Sequence, residues 1–399
     1  MSVQILSVFG TRPEAIKMAP VIQALESRPA LKSRVCVTGQ HRQMLDQVLE
    51  IFSITPDHDL ALMQAGQDLN SLTGRILTSV REVLQQDRPD LVLVQGDTTT
   101  CMAAALSAFY ERIPIAHVEA GLRSGRLDAP FPEEANRCIV SRIADLHFAP
   151  TRQARDNLLR EGIPIGRIAV TGNTVIDALL MTRDRVQRHG TRHWVGKFGT
   201  ALCDALETHS GKVVLVTGHR RENFGQGMED LCSAIRDMAL THRDWIFVYP
   251  VHLNPRVQEP VRSILHDLRN VHLIDPLDYL AFVWLMNRSD LILTDSGGIQ
   301  EEAPSLGKPV LVTREVTERV EAVEAGTVRL VGTNRTTIRR EVERLLTDPD
   351  LYSAMASVAN PYGHGNACNE IADIIEAWAA DRFALSSPRR NWSAASNVA

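Results

Sequence analysis

Short apolar runs rich in β-branched residues alternate with amphipathic segments along most of the chain. This alternation is typical of parallel β-sheets that are covered by helices on both faces. A polar and basic stretch at 182–197 separates two series of such runs. The pattern therefore predicts an α/β protein with two lobes, each built on a parallel sheet. The runs that we interpret as strands are 2–9, 35–38, 90–94, 113–118, 212–216, 245–249, 271–274, 290–294 and 309–312.

The first predicted strand leads directly into the start of a helix. Thr11 and Glu14 have the spacing of a capping box, and Pro13 falls in the first turn, where its missing N–H costs little. Arg12 and Lys17 are then expected near the helix N-terminus. This is the edge of a parallel sheet at which strand ends supply ligand-binding groups. A helix start without a ligand is the alternative interpretation of this segment.

The stretch 295–302 follows a predicted buried strand and opens a segment of helical composition. Gly297 and Gly298 let the backbone approach a ligand without an intervening Cβ atom. We expect Asp295 or Ser296 to cap the helix. The free amides at its N-terminus, together with the positive end of its dipole, favour an anion such as phosphate. An ordinary capped helix after a strand explains this stretch equally well when it is taken alone.

Glu301 and Glu302 are expected in the first turn of that helix, where a carboxylate facing a diphosphate would be repelled. At least one of them is therefore predicted to accept hydrogen bonds from sugar hydroxyls, such as those of a ribose. His219 and Arg319 follow two other strands of the second series, and they could neutralise a diphosphate together with the cations of the first lobe.

Acidic residues follow two consecutive strands of the first lobe. Asp97 and Glu119 stand at these strand ends, and Glu133 lies on a nearby loop. In a parallel sheet the three side chains converge, and they become candidates for proton transfer if burial or mutual repulsion raises the pKa of one of them. Each carboxylate taken singly could also be a cap or a surface charge. A held diphosphate beside proton-transfer groups favours a nucleotide sugar as the ligand.

Length and charge limit the possible functions. A chain of 399 residues is too long for one ordinary core, which predicts two domains. A net charge of −5 argues against nucleic acid as the main partner. No apolar run approaches the roughly 20 residues that span a bilayer. The N-terminal segment 2–9 lacks the basic residues and cleavage site of a signal peptide, so we expect a cytoplasmic protein.

Cofactor and metal motifs are not found in the sequence. The six cysteines are scattered without a CxxC pair, which favours buried reduced thiols. No G-x-G-x-x-G follows the first strand, and neither a P-loop nor clustered metal ligands are present. We therefore expect no nicotinamide, no other cofactor and no metal ion.

Six motifs together resemble the non-hydrolysing UDP-N-acetylglucosamine 2-epimerases. The resemblance extends over almost the whole chain up to the closing helix, and the tail after about Phe383 lies outside it. Jointly these motifs are highly specific. They occupy residues 10–17, 95–98, 117–123, 132–134, 217–222 and 295–302.

The resemblance implies a fold and a reaction. The fold is the glycosyltransferase-B architecture, with two Rossmann-like lobes and an active site in the cleft between them. The implied assembly is a homodimer. The reaction converts UDP-GlcNAc reversibly to UDP-ManNAc by elimination of UDP to 2-acetamidoglucal and re-addition. We place the N-terminal lobe at 1–172 with a closing helix at 366–383, the UDP-binding lobe at 173–365, and a disordered tail at 384–399.

The resemblance also implies residue roles. The catalytic residues would be His219, at the leaving diphosphate, and the carboxylates Asp97, Glu119 and Glu133. The resemblance does not say which of the three carboxylates removes the C2 proton. The residues that would bind the phosphates, ribose and uracil of UDP are Arg12, Lys17, Phe282, Ser296, Gly297, Gly298, Glu302 and Arg319. A second UDP-GlcNAc is an activator in some members, and the residues matching its site are Gln40, His41, Gln43, Glu134, Arg220 and His252.

Two positions depart from the family pattern. Gly66 stands where some members have an arginine, which makes activator binding less secure than catalysis. Val320 replaces a proline that is common after Glu318 and Arg319, and we expect a modest loosening of this loop.

Three other functions are compatible with parts of the pattern. A 2-epimerase for a UDP-diacetamido-uronic acid would share the UDP-binding residues and the carboxylates. A UDP-sugar glycosyltransferase of the same fold would need an acceptor site. A non-catalytic nucleotide-sugar sensor would not need the carboxylates.

Overall fold

The computed structural model describes residues 2–39, 42–62, 66–208 and 210–386, with side chains for all of these except 42–44 and 383–386. The described chain contains two entirely parallel sheets, one of seven strands and one of six. The first sheet contains β1 (Val3–Phe9), β2 (Leu31–Val37), β3 (His58–Asp59), β4 (Leu91–Gln95), β5 (Ile115–Val118), β6 (Leu146–Ala149) and β7 (Ile168–Val170). The second contains β8 (Val213–Thr217), β9 (Ile246–Pro250), β10 (Val271–Ile274), β11 (Leu291–Thr294), β12 (Val310–Val312) and β13 (Val328–Leu330).

Helices connect the strands and cover both faces of the two sheets. Those of the first half are α1 (Arg12–Glu26), α2 (Arg42–Ile51), α3 (Leu69–Asp87), α4 (Thr99–Tyr110), α5 (Glu133–Ile143), α6 (Arg152–Arg160) and α7 (Thr174–Val186). Those of the second half are α8 (Val195–Phe198), α9 (Thr200–Thr208), α10 (Gln226–Thr241), α11 (Pro255–Leu265), α12 (Tyr279–Arg288), α13 (Gly297–Glu302), α14 (Val320–Ala325), α15 (Arg335–Thr347), α16 (Pro349–Ala356) and α17 (Ala367–Ser386).

The strand orders are β3-β2-β1-β4-β5-β6-β7 and β10-β9-β8-β11-β12-β13. In each sheet the order reverses beside the first strand, between β1 and β4 and between β8 and β11. Such a reversal opens a crevice at the carboxyl ends of the strands, because the helices on its two sides lie on opposite faces of the sheet. The fold thus confirms the predicted pair of Rossmann-like lobes and provides one crevice in each.

The strands form the centre of each lobe because they carry nearly continuous apolar runs. Leu91, Val92, Leu93 and Val94 of β4 are all fully buried, as expected for a strand covered on both faces. The four strands β3, β6, β7 and β13 were not predicted. They have two to four residues, and three of them lie at sheet edges, where a long apolar run is not needed.

The chain passes between the lobes twice, at neighbouring points. The first passage precedes α7, and the second precedes α17, which returns to the first lobe and packs against α1. The Asn173 amide donates a hydrogen bond of 2.7 Å to the Tyr362 carbonyl and so joins the two passages. Gly172 has φ +87°, and a Cβ there would lie 3.1 Å from the same carbonyl oxygen, so this close approach requires glycine.

Ion pairing and apolar contacts hold the closing helix in place. Arg28, two residues after the end of α1, lies 2.6 Å from Asp373. Ile371 and Ile375 are fully buried, and Ile374 is partly buried against the same core, so these three residues form an apolar face of the helix. Within the described ranges, no helix combines the length and the apolar character that crossing a membrane requires.

Candidate active site

The start of α1 is organised by one buried carboxylate. Glu14 closes the predicted capping box with Thr11 and also accepts a hydrogen bond of 2.6 Å from the Thr98 hydroxyl, beyond β4. The Gly10 and Thr11 amides donate to the same side chain at 3.1 and 2.8 Å. Burial raises the pKa of Glu14 although these hydrogen bonds oppose the shift. The carboxylate therefore joins the two strand ends that border the first crevice.

Lys17 and Glu119 form a buried ion pair in this crevice. The Lys17 Nζ lies 2.7 and 2.5 Å from the two carboxylate oxygens of Glu119, and the Gln95 amide also donates to Glu119. Burial raises the pKa of Glu119 against the opposing effect of Lys17. Burial disfavours the charge of Lys17, but Glu119 and Glu301 outweigh burial and raise its pKa. Glu119 has φ +63°, a conformation that is costly for a residue with a side chain and is concentrated at functional sites.

Asp97 is held by a neighbouring arginine. Arg137 donates to one oxygen of Asp97 from Nε at 2.9 Å and from Nη2 at 2.6 Å, and Asn136 donates to the Asp97 carbonyl at 2.8 Å. Glu133 is the first residue of α5, one turn before these two partners, and its Oε2 is buried without a hydrogen bond to any described residue. Asp97 is close enough to raise the pKa of Glu119, and Glu133 begins the helix that holds Asp97, whereas the convergence of all three carboxylates stays a prediction.

The second crevice is organised by Asp295, but not as a helix cap. Its buried carboxylate turns toward the loop after β8 and accepts hydrogen bonds of 2.8 Å from the amides of both His219 and Arg220. Burial alone would raise the pKa of Asp295, but these hydrogen bonds and the His219 side chain outweigh burial and lower it. Ser296 holds the N-cap position of α13, without a side-chain hydrogen bond. Of the two expected caps, Ser296 therefore occupies the N-cap position, whereas Asp295 does not cap the helix, because the loop after β8 offers its carboxylate two amide donors.

His219 lies between the Asp295 carboxylate and the imidazole ring of His252. Its Nδ1 is 3.3 Å from Asp295 Oδ1, and its ring stacks on that of His252 with 5.4 Å between centroids. Burial and the nearby His219 lower the pKa of His252. A carboxylate beside one imidazole nitrogen orients the ring and leaves the other nitrogen to face a ligand. His219 is therefore positioned to form a hydrogen bond with an anion.

Helix α13 begins at Gly297, so Glu301 and Glu302 lie beyond its first turn. Their expected first-turn position is wrong, because the helix starts at the glycines and not after them. The first amides of a helix have no acceptor within it, and those of Gly297 and Gly298 make no hydrogen bond with another described residue. A Cβ on Gly297 would lie 3.4 Å from the guanidinium carbon of Arg319. The helix N-terminus and a guanidinium group therefore border the same space, as an anion site requires.

The two glutamates of this helix have different partners. Arg319 donates to Glu301 from Nε at 2.8 Å, and Glu301 is the main cause of the raised pKa of Arg319. Glu302 instead accepts a hydrogen bond of 2.9 Å from the Tyr279 hydroxyl, and burial raises its pKa to about 7. The positive charge of Arg12 acts to lower the pKa of both Tyr279 and Glu302, against the effect of burial.

The crevices of the two lobes face each other. Lys17 of the first lobe lies 4.0 Å from Glu301 of the second, so the Glu119 carboxylate and the N-terminal end of α13 belong to one cleft. Phe282 is half-buried on α12, one turn after Tyr279. The structure thus brings Lys17 and Glu119 of the first lobe together with Glu301 and Arg319 of the second.

The predicted activator residues are only partly described. Gln40 and His41 lie outside the described residues, and Gln43 is in the first turn of α2. The Glu134 carboxylate is engaged by the Ser124 and Gly125 amides and by Arg137. Arg220 follows His219, and His252 stacks on His219, as given above. Gly66 has φ +71° and open space around it. The activator site stays a prediction.

Four residues of the cleft had no predicted role. Arg137 holds Asp97, Gln95 binds Glu119, Tyr279 binds Glu302, and Asn173 lies 3.4 Å from Glu301. Arg137 follows Glu133 by four positions, a spacing that places both on one helix face and could have indicated its role. Among the residues that the structure describes, no group of three or more His, Cys, Asp or Glu side chains could hold a metal ion.

Comparison with known proteins agrees with this architecture. Residues 23–376 match the family model for UDP-N-acetylglucosamine 2-epimerase. A protein of that name from Escherichia coli O157:H7 is 57% identical over 373 residues, which are 94% of this chain and 98% of the relative. The crystal structure of UDP-GlcNAc 2-epimerase from Neisseria meningitidis bound to UDP-GlcNAc has a TM-score of 0.82 at 48% identity, covering 94% and 99% of the two chains. A putative UDP-N-acetylglucosamine 2-epimerase from Listeria monocytogenes has a TM-score of 0.87 at 45% identity, covering 96% and 98%.

The two facing Rossmann-like lobes define an enzyme of the glycosyltransferase-B architecture. The chain belongs to the UDP-N-acetylglucosamine 2-epimerase family, and it is an isomerase. The resemblance noted from the sequence motifs is thereby confirmed.

Proposed function

We propose that the protein interconverts UDP-GlcNAc and UDP-ManNAc by eliminating UDP and adding it back. The observation that carries the proposal is the Lys17–Glu119 ion pair of 2.5 Å, whose lysine also lies 4.0 Å from Glu301 on α13. This arrangement supports a sugar held among the carboxylates of the first lobe while its diphosphate lies at the helix N-terminus of the second. The relative solved with UDP-GlcNAc supports the same substrate.

The diphosphate would be bound by the amides of Gly297 and Gly298, with Ser296 beside them. Free amides at a helix N-terminus bind phosphate through hydrogen bonds and the helix dipole. Arg319 and Arg12 add positive charge, and arginine can bind phosphate oxygens in a bidentate way. Phe282 would lie near the uracil, and the Glu302 carboxylate would accept hydrogen bonds from the ribose hydroxyls.

The elimination step needs a base at C2 and a stabilised leaving group at C1. One carboxylate removes the C2 proton, the C–H electrons form the C1–C2 double bond, and the C1–O electrons leave with UDP. His219 and the arginines stabilise the charge that develops on the diphosphate. The product of this step is 2-acetamidoglucal.

Re-addition of UDP reverses the electron flow and returns a proton to C2 from the opposite face. Two acid–base groups on different sides of the sugar ring are needed for this inversion. Asp97, Glu119 and Glu133 are the candidates, and buried Glu119, with its raised pKa, is suited to carry a proton between steps.

Proton NMR of UDP-GlcNAc with the enzyme in deuterium oxide tests the proposal. We expect deuterium at C2 and the signals of the manno epimer, without any acceptor sugar. Turnover that requires an acceptor would point to a glycosyltransferase, and absence of exchange at C2 would contradict the proposal. Faster turnover of a UDP-diacetamido-uronic acid would assign that sugar as the substrate.

Assembly and regulation extend this proposal. The enzyme would be a cytoplasmic homodimer that supplies ManNAc-derived sugars for cell-surface polysaccharide, with a second UDP-GlcNAc as activator. The lobes would comprise 1–172 with 366–383, and 173–365, and they would close on the nucleotide about the passages at 172 and 360–365. Small-angle scattering should show compaction on addition of UDP, and an unchanged radius of gyration would contradict closure.

A further inference from the structure

Glu301 is the residue at which the cations of the two lobes meet. Its side chain is buried, and its Oε1 accepts a hydrogen bond of 2.8 Å from Nε of Arg319, in the second lobe, and lies 2.8 Å from Nη2 of the same ion pair. Its Oε2 lies 4.0 Å from Nζ of Lys17, in the first lobe. Lys17 is therefore placed between two carboxylates, those of Glu119 and Glu301. No other described carboxylate pairs with cations of both crevices.

The same residue contacts both passages of the chain between the lobes. The Asn173 side chain, in the first passage, lies 3.4 Å from Glu301 Oε2. The Asn360 side chain, in the second passage, donates a hydrogen bond of 2.7 Å to the Glu301 carbonyl. A rotation of one lobe against the other must therefore change the surroundings of this carboxylate.

The contact with Glu301 also sets the orientation of Arg319. Glu301 occupies the edge of the guanidinium formed by Nε and Nη2. Nη1 makes no hydrogen bond with any described residue, and it would lie 3.6 Å from a Cβ on Gly297. A planar guanidinium that is held along one edge presents its remaining donors in a fixed direction. That direction is the space in front of the α13 N-terminus.

We propose that Glu301 is a positioning residue that acts through Arg319 and Lys17 and couples lobe closure to the alignment of both cations. It does not touch the substrate. It orients Arg319 toward the diphosphate and fixes the lysine that pairs with Glu119. The inference rests on the proposed function, because the diphosphate site at Gly297 and Gly298 is part of that function.

The charge of Glu301 makes this role distinguishable from a structural one. A buried carboxylate so close to a diphosphate repels it, and the Glu301→Gln substitution removes that repulsion while keeping the shape. We expect this gain to offset the loss of Arg319 alignment in the bound state, so that binding of UDP does not weaken in this variant. Catalysis should weaken, because a misplacement of about 1 Å at a reacting site can reduce the rate about a hundredfold. Loss of a merely structural contact would instead weaken binding and catalysis together.

The experiment compares Glu301→Gln with a matched control and a conservative variant. Glu321→Gln is the control, since Glu321 also bridges the lobes through a hydrogen bond of 2.9 Å from Thr151 but pairs with neither cation. Glu301→Asp keeps the charge and shortens the side chain, so it tests alignment even if the uncharged variant does not fold. The measurements are the Kd of UDP by calorimetry, kcat and KM by NMR, and compaction by small-angle scattering.

We expect kcat of Glu301→Gln to fall by about tenfold to a hundredfold while the Kd of UDP stays equal or decreases. Compaction on UDP binding should diminish in this variant and persist in Glu321→Gln. Glu301→Asp should bind UDP like the wild type and lose most of kcat. Wild-type kcat in either Glu301 variant, or a parallel loss of binding and kcat in both, overturns the inference. Failure of the wild-type protein to bind UDP would instead refute the proposed function.

Discussion

Protonation of Glu302 should control nucleoside binding near neutral pH. The pKa of this carboxyl is raised to about 7 by burial, and the Tyr279 hydroxyl at 2.9 Å is its hydrogen-bond donor. At a pKa of 7, the ionised fraction increases from roughly a tenth at pH 6 to roughly nine tenths at pH 8. If the carboxylate accepts the ribose hydroxyls, the association constant should rise about tenfold over this range. The association constant increases with pH because the ionised form of Glu302 is the form that accepts the ribose hydroxyls.

Uridine is the appropriate ligand, because it contains the ribose and the base but no phosphate. NMR titration between pH 6 and 8 should show the rise in the wild type and a flat profile in Glu302→Gln. Tyr279→Phe removes a hydrogen bond worth about 1.5–3 kcal/mol to a charged group, which corresponds to a shift of the midpoint upward by about one to two pH units. A pH profile in Glu302→Gln as steep as that of the wild type would refute the reasoning, as would a midpoint in Tyr279→Phe that moves down.

Three further substitutions test other parts of the cleft. Gly297→Ala should leave the melting temperature unchanged, because its Cβ would meet Arg319 at an ordinary contact distance of 3.4 Å. The same Cβ should weaken UDP binding at least about tenfold in calorimetry, because it keeps the phosphate away from the helix amides. Unchanged affinity would exclude a phosphate at this position. Arg137→Met removes both hydrogen bonds to the Asp97 carboxylate, and kcat should fall about tenfold to a hundredfold with little change in KM. A selective rise in KM would contradict this role. Glu14→Leu removes the acceptor of the buried Gly10 and Thr11 amides, costs about 2 kcal/mol, and should lower the melting temperature by about 5 °C in calorimetry. An unchanged melting temperature would show that the strand ends do not depend on this carboxylate.

Features set by local spacing could be predicted from the sequence. The capping box of Thr11 and Glu14 depends on residues three positions apart, and the structure confirms it. The strand before Asp295 and the helix after Gly297 were predicted for the same reason. The two-lobed parallel architecture follows from repeated local alternation and is also confirmed.

Features set by distant residues could not be predicted in the same way. Asp295 turns away from its own helix because β8, about 80 positions earlier, lies beside β11 and offers two amides. The separate partners of Glu301 and Glu302 depend on Arg319 and Tyr279, whose positions follow from the packing of two other helices. No sequence spacing relates such residues, so their roles had to come from the structure.

The double passage of the chain between the lobes restricts how they can move. Two neighbouring connections are joined by the hydrogen bond between Asn173 and Tyr362. From this arrangement we expect the lobes to rotate about one axis, with twisting and sliding resisted. We expect a one-residue insertion next to Gly172 to tilt that axis and to separate the two halves of the cleft, whereas the same insertion in an outer loop would leave them aligned.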